Sequence, residues 1–572
     1  MRPARHFAIF LAAFWWSAAA TGQTSPEKCA ALLKVDVHQL PNQTTVIDSA
    51  VRNTARAAAR NAPAWPEHCE VIGNINARTG FNSQRFAIRF HLRLPAQWNG
   101  KFFFEGGGGS NGNLGNALGN LQGSQKNNAI DLGYAVVSQD AGHDNNVNND
   151  PNLNGTSVYN FDPQARIDHG YNSYDQVTQA GKALIAIYYG RAPQRSYFAG
   201  CSEGGREGVM MALKYPTYFD GILACAPGIR IPRAALAQVW NFQRLAEVAK
   251  AEGIYDRDQV PFVNKAFSDE DLGLVSRAVL DACDALDGAT DGIVSNFVEC
   301  NGAAVRPKLE ALACKGAKRS SCLMPAQISG LERIMGGAKT SAGEAIYAEW
   351  AWDAGIGGKS GDNYFQGWRS WALGGFDGKT VSSIDTGLVA DSTAAGLTPP
   401  QAIRSYGPDG AKFLLDFNLD TALERSRVTS QAYQVAVSAL MDMSGTELGA
   451  FRSRGGKLIV AHGVSDPIFS IKDSIAWVEA VDKAQNGATS FLRLFPVPGM
   501  NHCAGGPATD QFDAFGALVD WVEKGTAPER IVASAGNGTP WPGRTRPLCV
   551  YPKMAKYKGS GSLEDAASFV CR

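Results

Sequence analysis

The stretch SYFAGCSEGG, Ser196 to Gly205, sets the tightest limit on what this chain can fold into. Ser196 to Ala199 read as a short apolar strand. Arg206 to Tyr215 read as a helix that Pro216 stops. Between them Gly200-Cys201-Ser202-Glu203-Gly204 fits G-x-S-x-G. In that motif a serine is carried on a sharp strand-to-helix turn, and the glycines let neighbouring backbone come close. Gly221 to Ala226 then returns as a second strand. A strand, a turn, a helix and a strand in this order call for a parallel sheet with the serine exposed at its carboxyl edge.

Two other regions belong to the same sheet. Lys101 to Phe104 is a buried strand running into Glu105 and the four glycines 106 to 109, and LGYAVVSQDAGHD is a strand with its loop. Ser173-Tyr174-Asp175-Gln176 has the form of a capping box, and the helix it opens places Val177, Ala180, Leu184 and Ile187 on one face. Near the other end, Lys457 to Ala461 is a β-branched strand leading to HGVSDP. A helix follows from Ile471 to Lys483, then a strand from Phe491 to Val497 that leads to PGMNHC. A helix from Gln511 to Lys524 carries Phe512, Phe515, Leu518, Val519 and Val522 on its apolar side. The expected fold class is α/β, an α/β-hydrolase fold with a large inserted lid. Residues 21–228 and 445–572 form the catalytic domain and 229–444 the lid. The lid holds Trp240, Trp350, Trp352, Trp368 and Trp371, which either wall a pocket or form the lid's own core.

Chemistry narrows the site. A serine hydroxyl needs a base to take its proton, and that base needs a carboxylate to fix its tautomer. The chain has eight histidines, and after Ser202 only His462 and His502 remain. In this fold the acid precedes the histidine in sequence. Asp466 lies just past a strand end and upstream of His502, so the expected triad is Ser202, Asp466 and His502. Glu203, directly after the serine, offers one oxyanion N–H, and the 106–109 loop offers the other. Cys201 adjoins the serine and Cys503 adjoins the histidine. If Ser202 and His502 meet, these two cysteines are also close. A disulfide between them would close a loop of about 300 residues, worth roughly 5 kcal/mol in the chain-entropy model. Pairing of each with another cysteine is the alternative.

The remaining features bound the setting. Arg2 and Arg5, an apolar run from Phe7 to Trp16 and Ala18-Ala19-Ala20 have the three parts of a signal peptide, residues 1–20. Export to the periplasm or the medium would let most of the eleven cysteines pair, and an odd count leaves one over. The formal net charge is zero, which removes the electrostatic case for nucleic acid or an anionic membrane as partner. Asp284, Asp287 and Asp291, spaced by glycines in CDALDGATDGI, suit a hard cation with oxygen ligands, or ordinary Asp-Gly turns.

GCSEGGREG, HGVSDP, PGMNHC, CDALDGATDGI and YNSYDQVTQAGKA together resemble the tannase/feruloyl esterase family of α/β-hydrolases, over nearly all of the chain after residue 20 and least near 376 to 412. The resemblance implies the triad above, with the N–H groups of Gly109 and Glu203 as oxyanion hole. It implies a structural Ca²⁺ held by Asp284, Asp287 and Asp291 and the carbonyls of Ala289 and Ile293. It implies disulfides Cys29–Cys69, Cys201–Cys503, Cys283–Cys300, Cys314–Cys322 and Cys549–Cys571, leaving Cys225 free. Ile231, Trp371, His462 and Phe469 match substrate-pocket positions. The implied activity is that of a monomeric serine carboxylesterase whose partner is a small aromatic ester, a terephthalate monoester first, with ferulate and gallate esters as the alternative. A calcium-stabilised binding protein without catalysis is the reading from another class. One departure stands out. Where a family member acts on a substrate with a free carboxylate, a lid arginine holds it. The corresponding segment here, DGKTVSSIDTGLVADSTAAG, has none, and the nearby Lys379 and Arg404 match no motif.

Overall fold

The structure is a computed structural model that describes residues 25–59, 64–123, 127–357, 367–375, 378–405 and 408–572. The expected signal peptide lies outside the described residues. A nine-stranded sheet runs in the order β1-β2-β3-β5-β4-β6-β7-β8-β9. Its strands are β1 (Val46–Asn53), β2 (His68–Thr79), β3 (Arg85–Pro95), β4 (Lys101–Glu105), β5 (Ala135–Gln139), β6 (Arg195–Cys201), β7 (Gly221–Cys225), β8 (Lys457–Gly463) and β9 (Leu492–Val497). The first three are antiparallel, and the six from β5 to β9 are parallel neighbours. Phe102, Phe103, Phe104, Tyr197 and Phe198 on the central strands are fully buried, because parallel strands are covered on both faces. This is the α/β-hydrolase arrangement that the strand–turn–helix pattern implied.

β7 and β8 pair directly, Gly221 opposite Lys457, although more than 200 residues separate them in sequence. The intervening chain is therefore an insertion at the carboxyl edge of the sheet. It is mostly helical, beginning with Ile231–Ala251, the longest helix described. Trp350, Trp352, Trp368 and Trp371 are buried within it.

Three local expectations are corrected. Ser173 does not start a helix. The chain is already helical from Pro163, where Asp162 caps Ala165 N at 2.8 Å, and it runs through a wide turn at Asp168–Asn172 into Ser173–Tyr189. Asp162 is fixed there by Arg78 from β2, at 2.6 and 2.9 Å, a tertiary contact that overrides the local cap signal. Ile187 faces solvent, and Ile185 and Tyr188 are buried instead. The helix expected from Gln511 begins at Ala514, with Asp513 capping Gly516 N at 2.8 Å. Gln511–Phe512 pair as a short strand, β10, with β11 (Arg530–Ser534).

All five expected disulfides are present, and Cys225 is free and buried.

Candidate active site

β6 ends at Cys201, and the helix Glu203–Lys214 starts two residues on, three residues earlier than the sequence indicated. The turn between them forces Ser202 to φ +64°, ψ −121°, a strained conformation for a residue with a Cβ. Its backbone is pinned on both sides: Ser202 N donates to Cys225 O at 3.0 Å, and Arg206 N donates to Ser202 O at 3.0 Å. The motif glycines are required by contact. A Cβ on Gly204 would lie 2.6 Å from Gly107 O, and one on Gly200 would lie 2.7 Å from Gly204 C.

The same helix holds the glycine loop after β4. The buried Glu207 carboxylate accepts from Gly107 N at 3.0 Å, Asn111 Nδ2 at 2.8 Å and Tyr174 OH at 2.9 Å. One turn earlier, Glu203 accepts from Arg206 Nε at 2.6 Å, with His169 Nε2 3.7 Å away. Burial pushes the Glu203 carboxyl up to about 7, against the pull of the Arg206 charge. Gly109 and Glu203 both line a cavity of about 170 Å³ together with Ser202.

Asp466 and His502, the expected acid and base, come from the loops after β8 and β9. His502 Nδ1 lies 2.7 Å from Asp466 Oδ2, and both residues are buried. Asp466 Oδ1 accepts from the N–H groups of Ile468 and Phe469, at 2.8 and 3.0 Å. Burial alone would raise the Asp466 carboxyl. The His502 and His462 rings hold it well below the usual carboxylate range instead. The Cys201–Cys503 disulfide, with 6.0 Å between Cα atoms, joins the serine turn to the histidine loop. A serine on a strained turn, coupled in this way to a buried His–carboxylate pair beside an apolar cavity, can carry out acyl transfer.

Ile231, Trp371 and Phe469 line the cavity, and the Trp371 and Phe469 rings flank His502 edge-on at 5.5 and 5.6 Å. His462 does not line it. That ring is fully buried behind the acid loop, with Nδ1 2.9 Å from Ser474 Oγ and Nε2 2.9 Å from Phe469 O and 3.4 Å from Asp466 Oδ2. Its place is under the Asp466 turn, which it supports. Sequence reading missed Tyr159, Asn160, Arg166, His169 and Gln238, all on the cavity wall. Their segments carry no motif, and only the tertiary fold brings them there.

The acidic loop lies elsewhere. Asp284 Oδ1 accepts from Asp291 N and Gly292 N, and Asp287 accepts from Ala289 N and Ser295 N. Asp291 Oδ2 is turned onto the buried Arg546 guanidinium. Among the described residues no three His, Cys, Asp or Glu side chains gather closely enough to form a metal cage. The donor chemistry still fits a hard cation. All three carboxylates are buried, and burial, with the Asp291 charge adding to it, raises both Asp284 and Asp287, the latter to about 6.

The family described as tannase and feruloyl esterase matches residues 69–572. The mono(2-hydroxyethyl) terephthalate hydrolase of Piscinibacter sakaiensis is 47% identical over 546 residues, covering 93% of this chain and 89% of that protein. Feruloyl esterase B of Aspergillus niger is 26% identical over 569 residues, covering 94% of each chain. Among solved structures, feruloyl esterase B from Aspergillus oryzae superposes with a TM-score of 0.71 at 21% identity, covering 96% of this chain and all of that one. Tannin acyl hydrolase from Aspergillus niger superposes at 0.64 and 20% identity, covering 96% of this chain and 95% of its own. The chain belongs to the tannase and feruloyl esterase family.

Proposed function

We propose that this protein is a serine carboxylesterase that hydrolyses esters of aromatic carboxylic acids, with mono(2-hydroxyethyl) terephthalate as its leading substrate. The observation that carries the reading is the strained Ser202 turn, bolted by Cys201–Cys503 to a His502 already paired with Asp466. Ser202 Oγ attacks the ester carbonyl and His502 Nε2 takes its proton. Asp466 accepts from Nδ1–H, which fixes the tautomer and stabilises the imidazolium. The N–H groups of Gly109 and Glu203 hold the oxyanion. The tetrahedral intermediate collapses, and the alcohol leaves with the proton from His502. Water, activated by the same histidine, then releases the acid. The 47% identity to a terephthalate monoester hydrolase supports the leading substrate.

A second reading, phenolic esters such as ferulates and gallates, is favoured by Gln238. Its Oε1 is buried and has no partner among the described residues, and the residue lines the cavity, where it can accept from a phenol. A comparison of kcat/KM on mono(2-hydroxyethyl) terephthalate, methyl ferulate and methyl gallate separates the two. The terephthalate reading expects the first to exceed the others by at least tenfold, and equal rates on all three would remove it.

Five disulfides fit an oxidising compartment, and no helix among the described residues is long and apolar enough to cross a membrane. Export under the residue 1–20 signal, as a monomer, completes the reading. A structural Ca²⁺ would be held by Asp284, Asp287 and Asp291 with the carbonyls of Ala289 and Ile293, where it supplies the counter-charge for carboxylates that burial now disfavours. Chelation with EGTA is expected to lower the melting temperature by roughly 5 °C, and Asp287→Asn to abolish that response. An identical melting curve with and without chelator would overturn the site.

A further inference from the structure

Six arginines lie at least nine-tenths buried among the described residues. Five have a carboxylate partner: Arg93 with Glu70, Arg206 with Glu203, Arg369 with Asp269, Arg544 with Glu564 and Arg546 with Asp291. Removing a guanidinium from water without a counter-ion is expensive, which is why such pairing is the rule. Arg166 is the exception. It is 3% exposed, and no carboxylate pairs with it among the described residues. Its Nε donates to Asn160 O, and its Nη2 donates to lid carbonyls, Ala395 O at 2.6 Å and Leu397 O at 3.5 Å. Nη1 has a long 3.5 Å contact to Thr398 Oγ1, and the Tyr433 ring lies 4.2 Å from the guanidinium carbon. None of these groups neutralises the charge.

Arg166 also lines the Ser202 cavity, whose wall is otherwise mainly apolar. Thr393, from the same lid turn, lines it too, and its Oγ1 is buried without a partner among the described residues. A lone cation and a residue with an unpaired hydroxyl, two positions before the Ala395 carbonyl that Arg166 holds, thus both line the apolar chamber that holds Ser202. That is the recognition chemistry of an anionic oxygen pair. The cations suggested by the lid sequence cannot serve, because Lys379 and Arg404 are both exposed.

We propose that Arg166, with Thr393 Oγ1, is the specificity-determining subsite for a carboxylate on the acyl part of the substrate. The inference rests on the esterase reading and names the substrate class of the same cavity: aromatic acids bearing a second, free carboxylate. It assigns to the hydrolase body, from a segment about 230 residues ahead of the lid carbonyls it contacts, the arginine that the lid segment lacks.

The test compares mono(2-hydroxyethyl) terephthalate with 2-hydroxyethyl benzoate, the same ester without the carboxylate. Wild-type protein is expected to favour the first by at least tenfold in kcat/KM. Arg166→Gln should lower kcat/KM on the terephthalate ester by about 10²-fold and leave the benzoate ester within about threefold, with Arg166→Lys intermediate. Thr393→Val, which keeps Arg166 and its lid contacts, should lower the same ratio by about threefold to tenfold. Equal losses on both esters in Arg166→Gln, together with an unchanged ratio in Thr393→Val, would make Arg166 a lid fastener only and overturn the proposal. If neither ester is turned over, the esterase reading fails, and calorimetry still decides this one. Wild-type protein should bind terephthalate in preference to terephthalamide and lose that preference in both variants. No preference in the wild type would overturn the subsite.

Discussion

Replacing Ser202 by Ala is expected to lower kcat by about 10⁶-fold on any ester the protein hydrolyses, while the melting temperature stays within a degree or two of wild type. The first expectation follows from the site. Ser202 is the hydroxyl on the turn beside the cavity, and in the proposed mechanism His502 and Asp466 have no acyl acceptor to activate without it. The second follows from the backbone. Alanine keeps a Cβ at φ +64°, so the strain of the turn is neither relieved nor increased, and the Cys225 and Arg206 backbone bonds are untouched. His502→Ala should cost a similar factor. Asp466→Asn should cost about 10⁴-fold, because an amide facing Nδ1 favours the wrong tautomer of His502. Ester hydrolysis under single-turnover conditions, with circular dichroism as the fold control, checks all three. A Ser202→Ala protein that keeps more than a hundredth of wild-type kcat would remove Ser202 from the mechanism.

What could be read from the sequence follows from how locally each feature is determined. The Ser202 turn is spelled by five consecutive residues whose chemistry admits few other uses. Asp466 and His502 are legible because only two histidines follow Ser202 and only one of them has an acid placed ahead of it past a strand end. The Cys201–Cys503 bridge follows from those assignments, since it joins their immediate neighbours. His462 shows the limit of that logic. It stands at a strand end four residues before Asp466, but the acid loop folds over it, and it supports the Asp466 turn from behind. The helix that starts at Pro163 was hidden because its cap, Asp162, is fixed by Arg78, 84 residues away. Gln511–Phe512 form a strand only because β11 lies beside them, so their helical periodicity does not decide their state. Arg166 is the extreme case. Nothing in DPQARIDHG distinguishes a surface arginine from a buried one. Its meaning appears only when the lid carbonyls of Ala395 and Leu397 close over it.

The second large effect is expected from removing the Cys201–Cys503 bridge. Its ends are 302 positions apart in sequence, and for a loop of that length the chain-entropy model assigns it about 6 kcal/mol of stability. In the proposed mechanism it also ties together the two loops that carry Ser202 and His502, between which the proton moves. The two roles can be separated. The Cys201→Ala/Cys503→Ala protein should melt well below wild type. At a temperature where it is still fully folded, its kcat should fall by up to about 10²-fold with KM little changed, because the loss is of alignment and not of pocket contacts. The double variant is the informative one. Cys225 pairs in register with Cys201 across β6 and β7, so removing Cys503 alone would leave two thiols side by side, free to oxidise to each other. In the intact protein burial pushes the Cys225 thiol up to about 12, which keeps it protonated and unreactive toward the neighbouring disulfide. Cys225→Ala should therefore change neither kcat nor the response to reductant, and it serves as the control. Mild reduction of wild-type protein should reproduce the double variant, with activity falling before far-ultraviolet ellipticity does. An unchanged kcat in the double variant below its melting transition would confine the bridge to stability, and the His502 loop would then have to be held in place by the Asp466 pair and the Trp371 and Phe469 rings alone.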